Sequence, residues 1–264
     1  MIYITGDTHA DFSRFEENKF PIQSEMTKND YIIICGDFGG VCNYIVESIY
    51  EKHWLDWLNN KNFTTLFVDG NHENFERLYN YPVEEWHGGK VHQIRESVIH
   101  LMRGEIFNID NKKFFTFGGA RSHDIMDGIL NIDEYEKIIY EYRKRGAYFR
   151  IRDYSWWDLE LPTDEEMKSG IKNLEKVNYK VDYIISHCCP TSIQTLLNLF
   201  YKKDTLILLF TIVIIILNMF NIGNTQNLTW AAIISFIKGK KNDIFELLRR
   251  KRTVTSFEAR GLFL

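Results

Sequence analysis

Six side chains of metal-binding type stand just past the ends of short apolar runs. Asp7 and His9 follow Met1-Ile2-Tyr3-Ile4-Thr5, and Asp37 follows Tyr31-Ile32-Ile33-Ile34-Cys35. Asn71 and His72 come after Thr64-Thr65-Leu66-Phe67-Val68, and His187 closes Asp182-Tyr183-Ile184-Ile185-Ser186. Carboxylate, imidazole and amide oxygen together suit borderline divalent cations such as Mn, Fe, Zn or Ni. Taken singly, an Asp or His after a strand is more often a turn residue or a helix cap. Four repeats of one pattern argue against that bland reading. Gly36 and Gly70 stand where tight turns at the strand ends need them.

Each run is rich in β-branched and aromatic residues without alternation, the composition of a strand buried on both faces. Open α/β sheets place their ligand sites beyond the carboxyl ends of the strands. Four such ends can therefore converge these six side chains on one spot, and the expected class is α/β.

The order D-x-H (Asp7, His9), G-D (Gly36-Asp37), G-N-H-E (Gly70-Asn71-His72-Glu73) and a strand ending in His187 resembles the calcineurin-like metallophosphoesterase family, over about residues 1–204. The resemblance implies a two-sheet sandwich flanked by helices, with two divalent metal ions. It implies that Asp7 and His9 hold one ion, that Asp37 bridges both, and that Asn71 and His187 hold the second. It also implies that His72 works on the leaving group while an activated water hydrolyses a phosphate mono- or diester. The family closes its site with a G-H-x-H motif. This chain has none, its eight histidines being 9, 53, 72, 87, 92, 100, 123 and 187. The second expectation is therefore a phosphoesterase-like module that binds metal or a partner without turnover, tethered to a membrane.

Along the chain, residues 11–20 read as a short helix. Val46, Tyr50, Trp54 and Trp57-Leu58 recur at helical spacing and predict an amphipathic helix over about 43–60. Residues 75–79 begin another helix, pointing at the Asn71-His72 loop. Residues 86–92 read as turn-rich, followed by strands over 97–102, 105–109 and 113–117, with Asp110-Asn111 as a hairpin turn. His53, His87, His92 and His100 are expected to be structural or on the surface. Past Gly118-Gly119, Arg121 and His123 are candidate contacts to a substrate phosphate. Two charged surface helices follow over 133–145 and 164–177, the second capped by Thr163 with Glu166. Tyr154-Ser155-Trp156-Trp157 is expected in the core, and 193–200 as a helix.

The net charge of −4 hides an asymmetry. Residues 1–204 hold 24 Lys and Arg against 33 Asp and Glu, and residues 205–264 hold 8 against 3. An acidic body argues against a nucleic-acid groove there. Two units are expected, a body over 1–204 and a tail over 205–264. The tail carries no charge from 205 to 237, and 205–222 contains 13 Leu, Ile, Val and Phe. As a helix those 18 residues would span about 27 Å, near the ~30 Å hydrocarbon core of a bilayer. Basic residues flank the run, as at a membrane surface. Contact with a membrane, a shifted reading frame and an ordinary core segment are the three expectations for it. The cysteines at 35, 42, 188 and 189 show no disulfide or zinc spacing, and no secretory signal opens the chain, so a cytoplasmic setting is expected.

Overall fold

The structure is a computed structural model that describes residues 1–188 and, beyond them, two short strands at Val213–Ile214 and Ile233–Ile234; the side chains of 134–137 and of those two strands are not described. Its centre is a six-stranded sheet. Strands β1 (Ile2–Thr5), β2 (Tyr31–Cys35) and β3 (Thr64–Val68) run parallel, with β6 (Val98–Leu101) parallel beside β3. Antiparallel β5 (Gly89–Arg95) and β4 (Val83–Trp86) complete it in the order β1-β2-β3-β6-β5-β4. The second sheet is built on β7 (Glu105–Ile109), β8 (Lys112–Thr116) and β11 (Tyr183–Ile185), with β8 and β11 parallel.

β2 shows why the apolar runs do not alternate. Ile32 and Ile34 point into one cluster with Leu55 and Leu58 of helix α1 (Ile49–Asn59). Tyr31, Ile33 and Cys35 point into another with Phe107, Ile109, Phe114 and Ile185 of the second sheet. Every residue of β2 and β3 is buried. Each fully buried Ile or Leu contributes about 1.5–3 kcal/mol, so the middle of this sheet is the stable floor of the molecule. This is the expected α/β sandwich of two sheets with helices on the outer face.

Several local expectations are corrected. The helix begins at Ile49, not 43, because Glu51 gathers the preceding loop: its carboxylate accepts from the backbone of Cys42, Asn43 and Ser48. Ser48 completes a capping box, so Val46 and Tyr50 of the supposed apolar stripe are exposed. Residues 11–20 hold only a 3-10 turn at Ser13–Phe15, with a second at Pro21–Glu25. The stretch 86–92 is mostly strand, since only His87 and Gly88 take the left-handed conformations of a two-residue hairpin turn. Gly89 opens β5 opposite Trp86, and the position must be glycine because a Cβ there would lie 2.7 Å from the Phe107 ring.

Other elements stand as read. Helix α2 (Phe75–Tyr79), the Asp110-Asn111 hairpin turn and the Thr163–Glu166 capping box of α4 (Asp164–Lys176) are all present. Between β8 and α4 lie β9 (Ile129–Leu130), α3 (Ile132–Lys144) and β10 (Arg150–Ile151). Trp156 and Trp157 are buried, while Tyr154 is exposed. His53 and His87 are on the surface, and His92 and His100 are buried.

Of the tail, β12 (Val213–Ile214) pairs antiparallel with β11, and β13 (Ile233–Ile234) with β12. These two pairs extend the second sheet. The expected helix at 193–200 and the rest of the 205–264 unit lie outside the described residues. No helix of the described residues is long and apolar enough to cross a membrane.

Candidate metal centre

Because β1 and β2 are parallel neighbours, the loops after them leave the sheet side by side. The backbone N–H groups of His9 and Ala10 donate to the carbonyls of Asp37 and Phe38 at 2.8 and 3.1 Å, and the Thr8 hydroxyl donates to Phe38 at 2.7 Å. Arg14 donates to the Asp7 carbonyl at 2.6 Å and holds the first loop from below. His9 and Asp37 take left-handed backbone conformations, φ 44° and 46°. Each costs on the order of 1–3 kcal/mol and is kept only by such surroundings. Gly36 is required by packing, since a Cβ there would sit 2.3 Å from Nδ1 of His187.

The third loop closes on Asp37. Its Oδ1 accepts the backbone N–H groups of Asn71 and His72 at 2.9 and 3.1 Å. Glu73, wholly buried, accepts from Phe38 N at 2.7 Å and Gly70 N at 2.9 Å, so one carboxylate ties the second loop to the third. Burial, with Asp37 and Asp69 close by, pushes the Glu73 carboxyl well above its ordinary range.

Around this backbone the side chains meet. Oδ2 of Asp37 lies 3.5 Å from Nε2 of His9, 3.5 Å from Nε2 of His187 and 3.9 Å from Nε2 of His72. Asp7 lies 3.7 Å from His9 Nε2 and 3.8 Å from His187 Nδ1. His187 Nδ1 is 2.9 Å from the Cys35 carbonyl. A proton on that nitrogen satisfies the carbonyl and leaves the Nε2 lone pair facing Asp37. Asp7, His9, Asp37, His72 and His187 are thus brought together, with Asn71 anchored to Asp37 through its backbone.

The donor set fits a divalent cation. Among the described residues Asp37 Oδ2 is buried and has no hydrogen-bond partner, although three imidazoles face it. Spacings of 3.5–3.9 Å are too long for hydrogen bonds. They approach the roughly 3 Å between two ligands that share one ion at bond lengths near 2.1 Å. His9, Asp37 and His72 each present a ligand atom within 4.8 Å of the others. A buried carboxylate oxygen left unpaired is costly, and a divalent cation is a partner that would satisfy this one.

Beside the cluster stands a residue that the sequence did not single out. Arg150, on β10, places Nη2 3.5 and 3.4 Å from the two ring nitrogens of His72. Its Nε donates to Asp124 at 2.8 Å and its Nη1 to the Ser155 carbonyl at 3.3 Å. Burial works against charge on Asp124, but the Arg150 bond outweighs it and keeps the carboxyl below its usual range. Burial holds the His72 imidazolium down as well, with Arg150 and His9 adding to it and Asp37 opposing. Arg121 and His123 are exposed on either side of buried Ser122, and no hydrogen bond or ion pair among the described residues joins either to the cluster. No local signal marks Arg150, because 78 residues separate it from His72.

The family model for calcineurin-like phosphoesterases matches residues 1–187, ending on the last of the five expected metal ligands, His187. No curated protein matches the chain. No solved structure matches it either. That family implies metal-dependent hydrolysis of phosphoesters, and it usually binds divalent metals. With most of its length inside that match and its loops converged as described, the chain belongs to the calcineurin-like phosphoesterase family.

Proposed function

We propose that the chain hydrolyses a phosphate mono- or diester with a pair of divalent cations, held by Asp7, His9, Asp37, Asn71 and His187. The observation that carries this reading is the bare Asp37 oxygen facing His9, His72 and His187. Asp7 with His9 would hold one ion and Asn71 with His187 the other, Asp37 lying between them. Bound there, the ions would supply positive charge against the phosphoryl oxygens and a lowered pKa for the attacking water.

The chain's own residues account for the rest. Asp37 is oriented by two backbone N–H groups on Oδ1, which leaves Oδ2 free to face the ions. His72 is partly open to solvent and sits at the rim, where it can give a proton to the leaving oxygen. Arg150 lies against His72 and can offer its guanidinium to a phosphoryl oxygen, a role in which we place it ahead of Arg121 and His123. Asp124 holds that guanidinium in place. The acidic balance of residues 1–204 favours a small ester over nucleic acid. We place the reaction in the cytoplasm.

One observation favours a second reading, a metal-binding module without turnover: no histidine follows His187 to supply the G-H-x-H imidazoles. Hydrolysis of p-nitrophenyl phosphate and its bis-ester with added Mn²⁺ separates the two. Turnover that disappears in Asp37→Asn supports the phosphoesterase. No Asp37-dependent turnover at any Mn²⁺ concentration leaves only the module.

A further inference from the structure

Asn71 carries an oxygen that can bind a cation and a nitrogen that cannot, and its surroundings decide which one faces the ligand cage. Those surroundings are specific. The side-chain NH₂ of Asn71 donates to Oγ of Ser122 at 3.2 Å. The Ser122 hydroxyl donates to Oε2 of Glu160 at 2.6 Å, and its backbone N–H donates to Oε1 of the same carboxylate at 3.0 Å. Asn71, Ser122 and Glu160 are 8%, 3% and 2% exposed, so water competes little for these bonds.

The polarity of this chain is dictated by counting protons. A serine hydroxyl has one, and here it is committed to the Glu160 carboxylate. The Ser122 oxygen then has only lone pairs to offer, and only the NH₂ end of Asn71 can meet them. Glu160 is itself fixed, because its backbone N–H donates to Trp157 and Arg103 grips the neighbouring Leu159 carbonyl at 2.8 Å. We propose that Ser122 and Glu160 are positioning residues for the metal centre, a relay that turns the oxygen of Asn71 toward the cations. The relay rests on the reading of Asn71 as a ligand. It also gives the segment between Arg121 and His123 a role carried by the buried residue rather than by its exposed neighbours.

The test is a Mn²⁺ titration of the full chain, followed by calorimetry and by the free Mn²⁺ electron paramagnetic resonance signal. Ser122→Ala should weaken Mn²⁺ binding at one site by about 10- to 100-fold, the usual effect of removing a partner behind a ligand. Ser122→Thr keeps the hydroxyl and should keep the affinity. Glu160→Gln can donate to Ser122, releases its proton toward Asn71, and should weaken binding as Ser122→Ala does. If Ser122→Ala fails to fold, the Glu160→Gln and Ser122→Thr pair carries the same comparison. Asn71→Ala is measured alongside. If it weakens Mn²⁺ binding while Ser122→Ala and Glu160→Gln only lower the melting temperature, the relay is overturned and the ligand reading survives. If Asn71→Ala changes nothing, both fall.

Discussion

Two aspartates at the ends of neighbouring parallel strands have been given opposite chemistry. Asp37 stands two residues past β2 and Asp69 directly after β3, and both are wholly buried. Asp69 is saturated: Nε of Arg103 donates to it at 2.8 Å and Nε2 of His100 lies 3.1 Å away. Burial alone would raise its pKa, but Arg103 and His100 outweigh it and hold the carboxyl far below the usual range. Among the described residues Asp37 keeps one oxygen bare in front of three imidazoles. A buried carboxylate with all its partners is a strut, and one with a partner missing is half of a site.

The largest effect is expected at the strut. Asp69→Asn leaves the guanidinium of Arg103, which is fully buried, with only the partly exposed Glu166 as counter-charge. It should cost about 3–5 kcal/mol of stability, read as a lower urea midpoint of the metal-free chain. Asp37→Asn should do the reverse. Turnover should fall by more than about 100-fold, and the rise in melting temperature on adding Mn²⁺ should vanish. The metal-free melting temperature should not drop, because Asn keeps an oxygen for the two backbone N–H groups. Equal loss of metal-free stability in both variants would erase the contrast.

A smaller effect sharpens it by pH. Behind Asp69, His92 stacks on His100, and burial with His100 beside it lowers the His92 pKa to about 4. The unfolded chain takes up that proton near 6.5 and the folded one only near 4, so the unfolded state binds more protons between them. Stability should therefore fall as the pH drops across that window, by on the order of 1–3 kcal/mol. Thermal melts at pH 7 and 4.5 check it, and His92→Phe should flatten the fall. The smallest effect belongs to the rim. Arg150→Ala should raise KM about tenfold while Mn²⁺ affinity stays unchanged, as expected for a group that meets substrate and not metal. A change in Mn²⁺ affinity there would move Arg150 into the cage.

What the sequence could tell follows from how local each decision is. Asp7, His9, Asp37, Asn71 and His187 sit within a few residues of strand ends, so the sheet alone delivers them, and five-residue apolar runs announce the sheet. Asp37 and Asp69 were not distinguishable by type or by place; only the family pattern favoured one, and the reason lies in Arg103 and His100, both more than 30 residues further on. Arg150 and Glu160 were illegible for the same cause, since each reaches the site through tertiary packing of the segment after β8. The early start given to α1 failed because Glu51 spends its carboxylate on the loop before it. Arg121 and His123 had the right chemistry next to the right glycines, yet the backbone turns Ser122 inward between them.

The central claim is a cation cage around Asp37, and counting ions tests it most directly. Mn²⁺ titrated into the full chain should bind at two ions per chain, with a spin-coupled resonance spectrum, and Asp37→Asn should abolish the coupling and most of the binding. Binding of less than one Mn²⁺, or binding that Asp37→Asn leaves untouched, would contradict it.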